Sequence, residues 1–154
     1  MVEARQFCTF HLDNLFFGVE VEKVQEVLRF QEMTQVPLAP PVVRGLINLR
    51  GQIVTAIDLR RRLGLPDRPD GTVPMNVVVR KDEGAVTLLV DEIGDVLEVE
   101  EEFFEGPPET LTGPGRELVR GVYKLDGRLL LILDTDRAVA VAGMVGTSTV
   151  GSDI

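Results

Sequence analysis

The sequence predicts a mainly β protein built from two versions of one small unit, with a few short helices, and three observations carry that reading. Val43-Arg44-Gly45-Leu46-Ile47-Asn48-Leu49-Arg50-Gly51-Gln52-Ile53-Val54-Thr55-Ala56-Ile57-Asp58-Leu59 reads as two apolar-rich strands joined at Arg50-Gly51, where glycine supplies the positive φ of a tight hairpin. Val119 to Thr135 repeats that stretch 76 positions later (120 − 44), with the Arg-Gly opening, the X-Gly turn and the closing aspartate in register. Asp91-Glu92-Ile93-Gly94-Asp95-Val96 repeats the pattern of Glu22-Lys23-Val24-Gln25-Glu26-Val27 at an offset of 69 (91 − 22). The duplication therefore covers both ends of the unit. The seven extra residues (76 − 69) are assigned to the acidic, Pro/Gly-rich region from Glu98 to Gly115.

Taken in order, Gln6 to Leu12 and Leu15 to Val21 form a first hairpin turning at Asp13-Asn14. Val21, Val24 and Leu28 share one helical face, which predicts a short helix or helical turn over Glu22–Leu28. The prolines of Val36 to Pro41 make an extended connector into the organising hairpin. Asp58 is placed to cap a short helix that Gly64 ends, and Arg60-Arg61-Arg62 is read as three solvated cations on it. Pro66 to Gly71 is a linker that ends the first unit. Met75 to Val79 and Ala85 to Val90 then pair through a turn at Asp82-Glu83-Gly84, a short helix over Thr135–Val141 closes the fold, and 143–154 is expected to be a flexible tail.

Composition narrows the function classes. At 154 residues and 44% apolar content the chain can bury a sizeable core, and no apolar run approaches the roughly 20 residues of a membrane-crossing helix. The first residues lack a secretory signal pattern, and the single cysteine, Cys8, cannot form an internal disulfide; both predict a cytoplasmic protein. A net charge of −9 argues against nucleic acid as a partner.

Residues that carry chemistry do not converge. His11, the lone histidine, sits in a strand pattern and reads as structural; Cys8 reads as a buried, inert thiol. Gly113-Pro114-Gly115 lacks the further glycine or Gly-Lys-Ser/Thr of a phosphate loop and is read as a turn. Glu98, Glu100, Glu101 and Glu102 read as a solvated edge, and Asp58 and Asp134 as helix caps. No catalytic residue, metal or cofactor is expected, which points to a binding or adaptor module. The rival from another class is a small ligand-binding β-barrel or enzyme, which a deep pocket of convergent polar groups would reveal.

The stretch from Gly45 to Leu59, with Val24-Gln25-Glu26-Val27 and Val36-Pro37 before it and Leu89-Val90-Asp91 and Gly127-Arg128-Leu129 after it, resembles the CheW family of bacterial chemotaxis coupling proteins. The resemblance spans residues 5 to 142 and implies one domain over 1–142 made of two five-stranded SH3-like barrels, about 10–76 and 5–9 with 77–142. It implies an adaptor that bridges chemoreceptor cytoplasmic tips to the regulatory domain of the histidine kinase CheA, cytoplasmic, recruited to membrane-associated receptor arrays and not inserted in the membrane. Val24, Glu26, Gly45, Ile47, Leu49 and Arg50 would form or shape the receptor groove, and Val86, Leu88, Val90 and Val96 the kinase contact. A family relative serving another chemosensory pathway is the alternative. At the hairpin tips Arg50 is matched by Asp126, so the Arg50 copy is expected to meet the partner.

Overall fold

The computed structural model describes residues 3–82 and 84–140. Its elements are β1 (Ala4–Leu12), β2 (Leu15–Glu20), a 3-10 turn (Val21–Lys23), β3 (Val24–Leu28), β4 (Val43–Leu49), β5 (Gln52–Asp58) and α1 (Leu59–Arg62). They continue with β6 (Met75–Lys81), β7 (Gly84–Val90), β8 (Glu92–Glu100), a 3-10 turn (Glu101–Phe103), α2 (Pro114–Leu118), β9 (Val119–Leu125), β10 (Arg128–Leu133) and α3 (Thr135–Ala138). The strands form two five-stranded sheets, in the orders β3-β6-β7-β5-β4 (barrel I) and β8-β1-β2-β10-β9 (barrel II). Each sheet is a single edge strand followed by two hairpins, and the hairpins are joined to each other by a parallel pairing, β7 with β5 and β2 with β10.

The two units exchange their opening hairpins. β1–β2 from the first unit lies with β8, β9 and β10 of the second, while β6–β7 from the second lies with β3, β4 and β5 of the first. The division expected from the sequence, 10–76 against 5–9 with 77–142, is therefore corrected: all of 4–20 belongs to barrel II and 75–90 to barrel I. The linker at Pro66–Gly71 separates the sequence copies but not the barrels. Turn signals locate hairpins; they do not say which sheet a hairpin joins.

What closes each barrel is a single bridge outside the named strands. Thr34 exchanges two 2.8 Å backbone hydrogen bonds with Leu46, joining the chain beyond β3 to β4, and Glu105 bonds Val122 at 2.9 and 2.8 Å, joining the chain beyond β8 to β9. Gly45 and Gly121 sit beside these bridges. A Cβ at Gly45 would lie 2.6 Å from the Thr34 carbonyl oxygen, and one at Gly121 would strike the Glu105 carbonyl and the Phe104 ring. The glycine of the repeated Arg-Gly is thus explained by sterics at the seam.

Three apolar clusters hold the fold. Ile47, Leu49, Val54 and Val78 fill barrel I, and Phe7, Phe16, Tyr123, Leu130 and Ile132 fill barrel II. The largest cluster draws on both sheets, including Phe10, Leu12 and Leu131 from one and Ile57, Val77 and Leu88 from the other. Alternation along β6 explains the arrangement: Val78 points into barrel I while Val77 and Val79 enter the shared core.

Other expectations change locally. Val24–Leu28 is a strand and not the predicted helix; only Val21–Lys23 coils, because β6 offers β3 a ladder partner that outweighs the spacing of three apolar residues. Its copy is likewise strand, β8. Gly113-Pro114-Gly115 opens α2, with Pro114 in the first turn where its missing N–H is no loss. Asp58 and Asp134 cap α1 and α3, accepting from the backbone N–H of Arg61 and Arg137. Arg60 is no solvated cation: it is 6% exposed and grips Asp91 with two hydrogen bonds of 2.9 and 2.6 Å. Glu83, Val141 and the tail 143–154 lie outside the described residues.

If the glycines close the barrels as described, Gly45→Ala and Gly121→Ala should each cost about 1–3 kcal/mol in chemical denaturation. Gly106→Ala, which meets nothing within 4 Å, should stay within about 0.5 kcal/mol of the parent; equal effects at all three positions would refute the seam.

Candidate functional site

The seam of barrel I carries the charged residues that the sequence singles out. β4 and β5 meet in a two-residue turn in which Arg50 has φ 51° and Gly51 φ 89°, the left-handed pair of a type I′ hairpin. The Asn48 Oδ1 accepts the Gly51 N–H at 2.8 Å and fixes the turn. Glycine, asparagine and aspartate suit the first of those positions, whereas a long side chain there costs roughly 1 kcal/mol. In the second copy only Gly127, at φ 82°, is left-handed; Asp126 is not. Arg50 therefore occupies a disfavoured conformation that the duplicated turn avoids, and strain of this kind concentrates at functional positions.

The Arg50 guanidinium donates to the Glu26 carboxylate on β3, across the seam. The arginine side chain is 70% exposed, so this surface pair is worth only ~0.2–1 kcal/mol, about what the strained turn costs. Stability alone gives little reason to keep Arg50.

The structure brings Glu26 and Arg50 together but sorts the other expected groove residues differently. Ile47 (2% exposed) and Leu49 (6%) are interior to barrel I, Gly45 is buried under Thr34, and Val24 packs on the shared core. Gly45, Ile47 and Leu49 shape the wall and offer a partner no side-chain surface, or almost none, whereas Val24 is only partly buried. The accessible apolar groups on this barrel are Val27, Phe30 and Ile53, with Leu46 half-buried on the outer face of β4. Ile53 stands opposite Asn48 in the hairpin register, on the face away from Ile47 and Leu49. Reading 24–28 as a helix hid Val27; the outward phase of Ile53 was legible from its pairing with Asn48.

The expected kinase residues divide more sharply. Val86, Leu88 and Val90 are buried in the shared core and cannot reach a partner; β7 has neighbours on both sides and both faces covered, which a nearly continuous apolar run, broken only by Thr87, signals. Val96, on the outer strand β8, is 55% exposed. It occupies the place of Val27 (27 + 69 = 96), and Leu129 occupies that of Ile53 (53 + 76 = 129), also exposed. Barrel II thus presents a counterpart of the barrel I surface, with Phe103 exposed in the 3-10 turn that follows β8, but with Asp95 for Glu26 and Asp126 for Arg50.

Pockets with convergent chemistry are not what the surface offers. The larger depressions, of about 590 and 690 Å³, are open and lined by connector and helix-end residues. In the former, Arg44 and Arg61 are both turned to the buried Asp58, at 3.1 and 3.6 Å. Burial pushes the Cys8 thiol up, away from a reactive thiolate. Among the described residues no group of three His, Cys, Asp or Glu side chains could hold a metal, and no helix is long and apolar enough to cross a membrane.

Comparison with known proteins agrees with this architecture. Residues 6–142 match the family model described as the CheW-like domain. The chain is 29% identical over 136 residues to a chemotaxis protein CheW of Treponema pallidum, covering 86% of this chain and 80% of the relative. It is 32% identical over 120 residues to that of Bacillus subtilis, covering 78% and 77%. Among solved structures, the scaffolding protein TtCheW from Thermoanaerobacter tengcongensis superposes with a TM-score of 0.77 at 28% identity, over 86% of this chain and 90% of that one.

Because the strained turn and the ion pair nearly cancel, Arg50→Gly should leave the thermal midpoint unchanged or raise it. A clear fall would show that Arg50 is retained for stability.

Proposed function

The chain belongs to the CheW-like domain family, and from that premise we propose that it is a non-enzymatic chemotaxis adaptor coupling chemoreceptor cytoplasmic tips to the histidine kinase CheA. The observation that carries the receptor side of this reading is Arg50, exposed and held left-handed where its duplicate is a relaxed aspartate turn. A receptor tip is helical, and a helix laid along the barrel I seam would bury Val27, Phe30 and Ile53 while Glu26 and Arg50 set its register. Ile47 and Leu49 stiffen the wall from within, and Gly45 keeps the seam closed.

On barrel II, Val96, Leu129 and Phe103 form the surface proposed for the kinase regulatory domain, replacing Val86, Leu88 and Val90 in that role. Two barrels with related apolar faces but different charges suit a protein that must hold two different partners at once. The adaptor needs no cofactor, works in the cytoplasm, and reaches the membrane by binding receptor arrays.

A charge exchange separates fold from function. Arg50→Glu alone should weaken capture of a receptor-tip fragment by roughly tenfold with little change in thermal midpoint, since rim charges act on partners more than on the fold. The exchanged protein, Glu26→Arg with Arg50→Glu, restores an ion pair but should not restore capture. Recovery of binding by the exchange would reduce the pair to a structural strut, and failure of the unsubstituted protein to bind either partner would remove the adaptor reading.

A further inference from the structure

Between the barrels the chain crosses at two equivalent places, Val21–Lys23 from β2 to β3 and Asp91 from β7 to β8. The second crossing is clamped. The Asp91 carboxylate accepts from Arg60 Nε at 2.9 Å and Nη2 at 2.6 Å, from Arg68 Nη2 at 3.0 Å, and from the backbone N–H of Asp13 at 2.7 Å. Arg60 lies on α1 beside barrel I, Arg68 in the segment between α1 and β6, and Asp13 at the β1–β2 turn of barrel II. Arg60 also donates to the Pro66 carbonyl at 2.9 Å, fastening the same segment. Both arginine side chains are less than a tenth exposed.

Burial pushes the Asp91 carboxyl up, but hydrogen bonds from Arg60, the Asp13 amide and Arg68 more than offset it and hold the group below the usual carboxylate range. At neutral pH the clamp is therefore fully charged, and its contribution is lost only as the pH falls through that depressed value.

Among the described residues the first crossing has no carboxylate clamp between the barrels. Arg80 on β6 donates from Nη1 to the Glu22 and Val24 carbonyls at 3.1 and 2.7 Å, and Glu20 pairs with Arg5 and Arg120 inside barrel II. Glu22 stands in the place of Asp91, exposed and with no ion pair among the described residues, and Asp136 stands in the place of Arg60 (60 + 76). Asp82, in the place of Asp13 (13 + 69), is left-handed like it, at φ 52° against 58°, so the asymmetry lies in the carboxylate and its arginines. Apolar packing in the shared core is non-directional, whereas forked guanidinium–carboxylate bonds fix an angle.

We infer that Asp91, Arg60 and Arg68 are positioning residues that set the angle between the barrels, so that a receptor on barrel I controls a kinase on barrel II through a rigid junction; this rests on the adaptor reading above. In a Cys8→Ser background, spin labels at Gln25→Cys on β3 and Asp126→Cys at the barrel II hairpin tip report the inter-barrel distance. Asp91→Asn should broaden the distance distribution and lower receptor control of kinase activity roughly fivefold or more, while each partner alone still binds. Where Asp91→Asn fails to fold, Arg68→Gln, which frees only the connecting segment's arm, should give a smaller broadening. A folded variant with an unchanged distribution, or with a broadened distribution and undiminished control, overturns the inference. The distance measurement uses no partner, so it judges the clamp independently of whether the adaptor reading survives.

Discussion

Neither sheet in this chain is closed by a full strand pairing; each closes through one residue that exchanges two hydrogen bonds across a seam, Thr34 with Leu46 and Glu105 with Val122. So short a closure works only if the bridging backbone approaches very near, and that is possible because Gly45 and Gly121 carry no side chain there. The rest of the structure depends on this constraint. Closing the seam brings the chain beyond β3 onto β4, places Glu26 within reach of the tip bearing Arg50, and leaves the apolar residues of alternate phase pointing outwards. The same closure in barrel II lays the chain beyond β8 on β9, and Val96 and Leu129 stand exposed. One steric requirement, met twice, produces two related surfaces.

Duplication then permits divergence without loss of fold. The hairpin tips make the clearest case: a turn that only had to reverse the chain would be served by the relaxed Asp126-Gly127 arrangement, yet the first copy keeps Arg50 left-handed for a surface ion pair that barely offsets the strain. The crossings diverge in the same way, with a four-donor carboxylate at Asp91 and an exposed glutamate at Glu22. In both instances one copy has kept costly polar geometry where the other shows that the fold does not demand it.

Much of this was legible in the sequence where the signal is local. The hairpins, their registers and the caps at Asp58 and Asp134 follow from turn chemistry and alternation within a dozen residues. The tip asymmetry between Arg50 and Asp126 was visible at once. What escaped depends on distant partners: β3 looks helical until β6 is available to pair with it, and Arg60 looks solvated until Asp91 arrives from 31 residues away. The exchange of hairpins could not be read, because β1–β2 and β6–β7 have equivalent patterns and would satisfy either sheet. The burial of Val86, Leu88 and Val90 had a readable cue in the nearly continuous apolar run from Ala85 to Val90, broken only by Thr87, which marks a strand covered on both faces.

The central claim is that one barrel has become the receptor surface and its duplicate has not. Amide chemical-shift mapping of the isotopically labelled protein, titrated with a helical receptor-tip fragment, addresses it directly. The account predicts perturbations concentrated at Val27, Phe30, Leu46, Asn48, Arg50 and Ile53, with Val96, Asp126 and Leu129 unmoved. Shifts centred on the barrel II positions, or spread equally over both barrels, would contradict it.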